Sequence, residues 1–150
     1  MKTIFSPKNN PRVIIIQKLY GKFFNNDEQL TFPKHRFKKF IKDIVLGTIE
    51  RNDLILEEID KNLGKDFPLK NLDKLFHVIL RSATYEFLYK PNLSIKIIIK
   101  EYLNVSNFFL DEGQTKYLNA LLDNIGKKLR STNAWILSYK EILFWIISKK

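Results

Sequence analysis

Two stretches of this chain carry polar side chains that helical packing does not explain. In Ile79-Leu80-Arg81-Ser82-Ala83-Thr84-Tyr85-Glu86-Phe87-Leu88, the apolar residues Ile79, Ala83 and Phe87 recur at i, i+4 and i+8, and Arg81 and Glu86 stand among them. In Tyr117-Leu118-Asn119-Ala120-Leu121-Leu122-Asp123, Asn119 and Asp123 lie one helical turn apart. Side chains of these types can tie helices together or offer charge and hydrogen bonds to a partner. Acid–base catalysis asks for more, a facing pair with matched proton affinities.

No such pair is visible. His35 and His77 are the only histidines. His77 falls inside an apolar helix and is expected to be a hydrogen-bonded core or boundary residue rather than a ligand. His35, among Lys34, Arg36, Lys38 and Lys39, is expected at a helix start beside a basic face. Glu57-Glu58 and Asp111-Glu112 are adjacent in sequence, so each pair diverges around a helix or marks a cap. There is no glycine-rich phosphate loop, no His-x-x-x-His spacing and no cysteine. The expectation is a protein that is not an enzyme and holds no metal or cofactor.

Helices must position these residues. After Pro11, the residues Val13, Ile16, Tyr20, Phe23 and Phe24 fall on one side of a helix, with Arg12, Lys18 and Lys22 opposite. A second pattern runs from about His35 through Phe37, Phe40, Ile41 and Ile44. A third runs through Ile55, Ile59 and Leu63 to Gly64. Pro68 suits a first turn, and the stripe Leu69, Leu72, Phe76, Ile79, Ala83 and Phe87 ends before Pro91. Ser94 and Asp111 are candidate caps for two further helices. Ile97-Ile98-Ile99 favours a strand by composition, but no second strand exists to pair with it, so helix is the reading. Asn133 can cap a last helix over about 134–148. The fold expected is all-α, with six or seven helices in two packed subdomains.

At 150 residues the chain makes one domain, or two small halves around a shared core. Its start has no apolar core long enough for a signal peptide, and no run of about 18 apolar residues spans a membrane, so the cytoplasm is expected. The formal charge of +10 is unevenly placed. Residues 1–40 hold nine Lys or Arg against Asp27 and Glu28, and the remaining 110 hold seventeen against fourteen acids. A basic end on a nearly balanced body suggests a face for a polyanion. Of the 26 basic residues 21 are Lys, so a genome rich in Lys codons is the competing explanation.

Taken in order, several segments resemble the NusB family of transcription antitermination factors. Arg12 followed by Gln17-Lys18-Leu19-Tyr20 is similar to the family's first helix, and Phe40-Ile41-Lys42-Asp43-Ile44-Val45-Leu46-Gly47, followed by Ile59-Asp60, to its second helix and what comes after. Leu80-Arg81, Ala83 and Tyr85-Glu86 resemble its most recognisable segment. Ile99-Lys100-Glu101 stands where Ile-Asn-Glu is common, and Asn119-Ala120-Leu121-Leu122-Asp123 where Asn-Gly-Val-Leu-Asp is. The resemblance covers about residues 11–130. It implies a pair of packed helical bundles that binds boxA-like single-stranded RNA together with NusE, a small ribosomal protein, within the RNA polymerase antitermination complex of ribosomal RNA operons. A monomer or weak homodimer is expected. The alternative is a helical interaction module without RNA affinity, associated with a membrane surface through its aromatic tail.

The chain departs from the family at its start, where Pro7-Lys8-Asn9-Asn10-Pro11-Arg12 replaces a run of arginines. Arginine's planar fork grips phosphate better than lysine's point charge, so weaker or relocated RNA contacts are expected. The resemblance implies Lys8, Arg12, Lys18 and Lys22 as RNA-binding candidates, with Lys116 and Tyr117 at the start of a late helix. Tyr20 either packs in the core or stacks an unpaired base. Glu86 either pairs with a neighbouring helix or faces the protein partner. Arg81 and Asp123 are expected to tie helices together. Residues 1–130 form the expected RNA-binding domain, and 131–150 a helical extension packed on the body through Trp135, Tyr139, Ile142, Leu143, Ile146 and Ile147.

Overall fold

The computed structural model of the protein describes residues 9–25, 29–63, 72–131, 143 and 146–148. Among them are six long helices and no strand. They are α1 (Pro11–Phe24), α2 (Lys38–Glu50), α3 (Asn52–Asn62), α4 (Lys74–Tyr89), α5 (Ile95–Phe109) and α6 (Glu112–Ser131). The all-α expectation holds. Every residue of α4 from Phe76 to Phe87 is buried, because the other five helices close a ring around it. In that ring α1 touches α2, α2 touches α3, α3 touches α6, α6 touches α5, and α5 touches α1. The helices thus share one core along α4.

Local chemistry sets the helix ends. The Ser94 hydroxyl accepts from the Ile97 backbone N–H at 3.2 Å, so the isoleucine run is the first turn of α5. Asp111 and Gln114 make a reciprocal box, the Asp111 carboxylate accepting from Gln114 N–H at 2.7 Å and the Gln114 amide from Asp111 N–H at 3.1 Å. One boundary differs from expectation. The central helix begins at Lys74 rather than before Leu72, because the Asp73 carboxylate accepts from the N–H groups of Leu75 and Phe76 and stops the helix there. Pro68, Leu69 and Gly64 lie outside the described residues. The far end of α4 is held by Arg130 of α6, whose guanidinium donates to the carbonyls of Phe87, Lys90 and Leu93 at 2.7–3.1 Å. A cation there also suits the negative end of the helix dipole.

Most of the expected final helix falls outside the described residues. Of its apolar stripe, Leu143, Ile146 and Ile147 are described; they are helical and exposed.

Two glycines let helices approach α4 closely. A Cβ on Gly47 of α2 would clash with the Tyr85 phenol, and one on Gly126 of α6 would sit 3.0 Å from the Phe87 ring. The Tyr85 ring cannot swing aside freely, since it is buried and lies 4.9 Å from Tyr89. Gly113, near the start of α6, meets only a carboxylate oxygen at 3.5 Å. Alanine has the better helix propensity by about 1 kcal/mol, so the two sites should respond with opposite signs. Gly47→Ala is expected to lose about 1–3 kcal/mol in chemical denaturation through overpacking, and Gly113→Ala to gain up to about 1 kcal/mol. Equal responses would mean that close packing against Tyr85 does not constrain α2.

Candidate nucleic-acid interface

The start of α1 is built around a buried ion pair. Asn10, itself buried, caps the helix by accepting from Arg12 N–H at 2.9 Å and Val13 N–H at 3.3 Å. This turns the Arg12 side chain inward. Its guanidinium grips Glu86 of α4 in a fork, Nε to Oε2 at 3.0 Å and Nη2 to Oε1 at 2.6 Å. Glu86 is wholly buried and also accepts from the Tyr102 hydroxyl of α5, which lies 2.5 Å from the Ser82 hydroxyl. Arg12 stacks over the rings of Phe40 and Tyr102, and Glu101 lies 4.0 Å away. Burial pulls the guanidinium's pKa down, but the charge and hydrogen bond of Glu86 leave it above its ordinary value. Burial, and then the charge of Glu86, push the Tyr102 phenol well above its usual range.

Two expectations change accordingly. Arg12 is only 7% exposed and its fork is occupied by Glu86, so it is not available to grip phosphate in this conformation. Of the two readings left open for Glu86, the structure has the ion pair between helices and no exposed surface for a partner. Either residue alone looks like a surface charge, and only the contact across 74 positions of sequence places both inside.

Three other candidates lie further along α1. Lys18, Tyr20 and Lys22 are half-buried along its second half. Phe23 and Phe24, which end the helix, pack on the first turns of α4. Phe24 meets His77 edge-on at 6.4 Å and lies under Lys74, while Arg81 sits 4.4 Å above Phe23. Tyr117 of α6 stacks on Phe76 in the same stretch of α4, with centroids 5.5 Å apart. Burial raises the pKa of its phenol. The exposed Lys116 makes only a surface pair with Glu112 at 3.6 Å, which holds it weakly. Phe24 of α1 and Tyr117 of α6 thus both pack on the first turns of α4. Lys8 lies outside the described residues.

Arg81 does tie helices, donating to Asn52 of α3 at 3.0 Å and to His77 Nδ1 at 2.7 Å while covering Phe23 of α1. Asp123 does not; it is exposed and pairs with Lys127 one turn along its own helix. Asn119 is likewise exposed, and with Asp123 and Lys100 it lines an open groove between α5 and α6. Among the described residues no cluster of His, Asp or Glu is arranged to hold a metal ion, and no helix is long and apolar enough to cross a membrane.

The family model described as the NusB family matches residues 9–127. The transcription antitermination protein NusB of Bradyrhizobium diazoefficiens is 32% identical over 91 residues, which are 61% of this chain and 55% of that protein. NusB of Rhodopseudomonas palustris is 28% identical over 92 residues, 61% of this chain and 53% of its own length. The chain thus spans about half the length of the curated relatives it matches. A solved structure of T. maritima NusB superposes with a TM-score of 0.70 at 27% identity, covering 85% of this chain and 93% of that one.

The Arg81–His77 contact has a pH signature. Burial, and then the neighbouring Arg81 charge, lower the His77 pKa from 6.5 to about 4, so the ring is neutral near pH 7 and accepts from Arg81. The unfolded chain takes up this proton below about pH 6.5, whereas the fold resists it until about pH 4. The stabilisation is therefore complete above pH 6.5 and is lost as pH falls toward 4. Relative to the parent, His77→Gln, whose amide oxygen can still accept from Arg81, should flatten the fall in stability across that window. The difference is about 1–2 kcal/mol after discounting for solvent at the open edge of the ring. Parallel stability curves for the two proteins would contradict this.

Proposed function

Because this chain belongs to the NusB family of transcription antitermination proteins, we propose that it binds boxA-like single-stranded leader RNA with NusE, a small ribosomal protein. It does so in the cytoplasm, in the antitermination complex on RNA polymerase that transcribes ribosomal RNA operons. The family is one of transcription factors rather than enzymes. The observation that supports the RNA reading is that the Phe24 end of α1, next to Lys22, and Tyr117 of α6, next to Lys116, both pack on the first turns of α4. Lysines attract phosphates, and Tyr20 and Tyr117, half-buried where they pack against the core, are the aromatic candidates for an unstacked base. Lys18 extends the same surface along α1. Arg12 and Glu86 have no direct part in this reading; they fix α1 against α4 and α5.

Binding through about three to five phosphates gives a slope of log K against log salt of about −2 to −3.5, at roughly 0.7 per phosphate of a single strand. Lys18→Glu combined with Lys22→Glu should weaken binding of a short U-rich RNA at least about tenfold and leave helicity unchanged. By linkage, NusE and RNA should each tighten the other's binding by the same factor. Unchanged RNA affinity in the double variant would remove α1 from the site.

A further inference from the structure

The strongest concentration of unpaired charge lies elsewhere, at the start of α2. Lys34, Arg36, Lys38, Lys39 and Lys42 are all exposed. None takes part in an ion pair among the described residues; the nearby Asp43 is engaged by Lys90. Phe37 stands among them, 37% exposed, with the Arg36 guanidinium 5.4 Å above its ring. Exposed cations interleaved with an aromatic ring are the surface that a single nucleic-acid strand uses, phosphates on the cations and a base on the ring.

Stability does not account for this placement. The first turn of a helix carries partial positive charge and favours Asp or Glu, yet α2 has Lys38 and Lys39 there and no acid. A lysine-rich composition scatters lysines; it does not select the positions where they are least favourable.

The patch is also anchored. His35 Nε2 lies 2.8 Å from the carbonyl of Asn9, so this nitrogen carries the proton and donates. Nδ1 is then the acceptor for the Phe37 backbone N–H, at 2.9 Å. One imidazole ring thus joins the chain entering α1 to the turn that opens α2. The basic stretch is thereby tied to Asn9, at the entry to α1.

We propose that residues 34–42 form a second phosphate-binding surface for single-stranded RNA, with Lys38, Lys39 and Arg36 as its principal cations. This rests on the RNA-binding reading above and extends its site. α1 is 14 residues long, about 21 Å. A strand that reaches both this patch and Lys22 runs along that helix.

The test compares three proteins for binding of a short U-rich single-stranded RNA across a salt series, with thermal melting of each. They are the parent, Lys38→Glu with Lys39→Glu, and Lys96→Glu with Lys100→Glu. The last pair changes net charge equally on exposed positions of α5. In the α2 pair, affinity should fall at least about tenfold and the salt slope should flatten by about 1.4. Its melting temperature should stay level or rise, since acids suit a first turn. That combination separates lost contacts from lost structure. The α5 pair should stay within about threefold of the parent. Unchanged affinity and slope in the α2 pair, with the parent binding, would overturn this inference and leave the α1–α6 site standing. An equal loss in the α5 pair would overturn it too, by making the effect one of net charge. A parent that does not bind RNA would overturn both readings.

Discussion

Near the end of the central helix sits a carboxylate with no exposure to water, Glu86. A buried ion costs several kcal/mol unless an opposite charge with good geometry meets it and its other lone pairs are satisfied. Arg12 supplies the charge in a two-bond fork, and Tyr102 supplies a third hydrogen bond. These residues come from α1, α4 and α5, so one electrostatic requirement fixes the packing of three helices. Apolar packing is non-directional, whereas a fork to a fixed carboxylate forms in one geometry, which helps to set the register of α1 on α4.

Surface chemistry follows from that internal commitment. With Arg12 facing inward, the start of α1 has one cation fewer on its outside, and the proposed polyanion contacts fall to Lys18, Lys22, Lys116 and the opening turn of α2. The register of α1 in turn settles which residues are neighbours. Phe24 reaches His77 at one end, and the chain at Asn9 reaches His35 at the other. Glycines at 47 and 126 allow the ring of helices to close this tightly around α4.

Much of the fold was legible because its signals are local. Ser94 and Asp111 cap helices within three residues of themselves, and Pro91 lies just past the end of α4. Apolar periodicity identified α4, although it ran the stripe past Asp73, a cap that takes precedence over the apolar Leu72 before it. What was not legible depends on pairs distant in sequence. Arg12 falls on the polar side of α1 by periodicity, and nothing near it announces Glu86. Arg130 reads as a solvated cation at a helix end, yet it holds the carbonyls of another helix. Asp123 was expected to tie helices together and proves to be exposed, paired with Lys127 of its own helix.

The direct measurement of the central interaction is a double-mutant cycle on Arg12 and Glu86, using Arg12→Met and Glu86→Leu in chemical denaturation. Each single substitution strands a partner in the core and should cost about 3–5 kcal/mol, whereas the pair removes both charges together. The double variant should therefore lose far less than the sum of the singles, with a coupling of about 2 kcal/mol or more. Additive losses, with no coupling beyond about 0.5 kcal/mol, would contradict the role given to this ion pair.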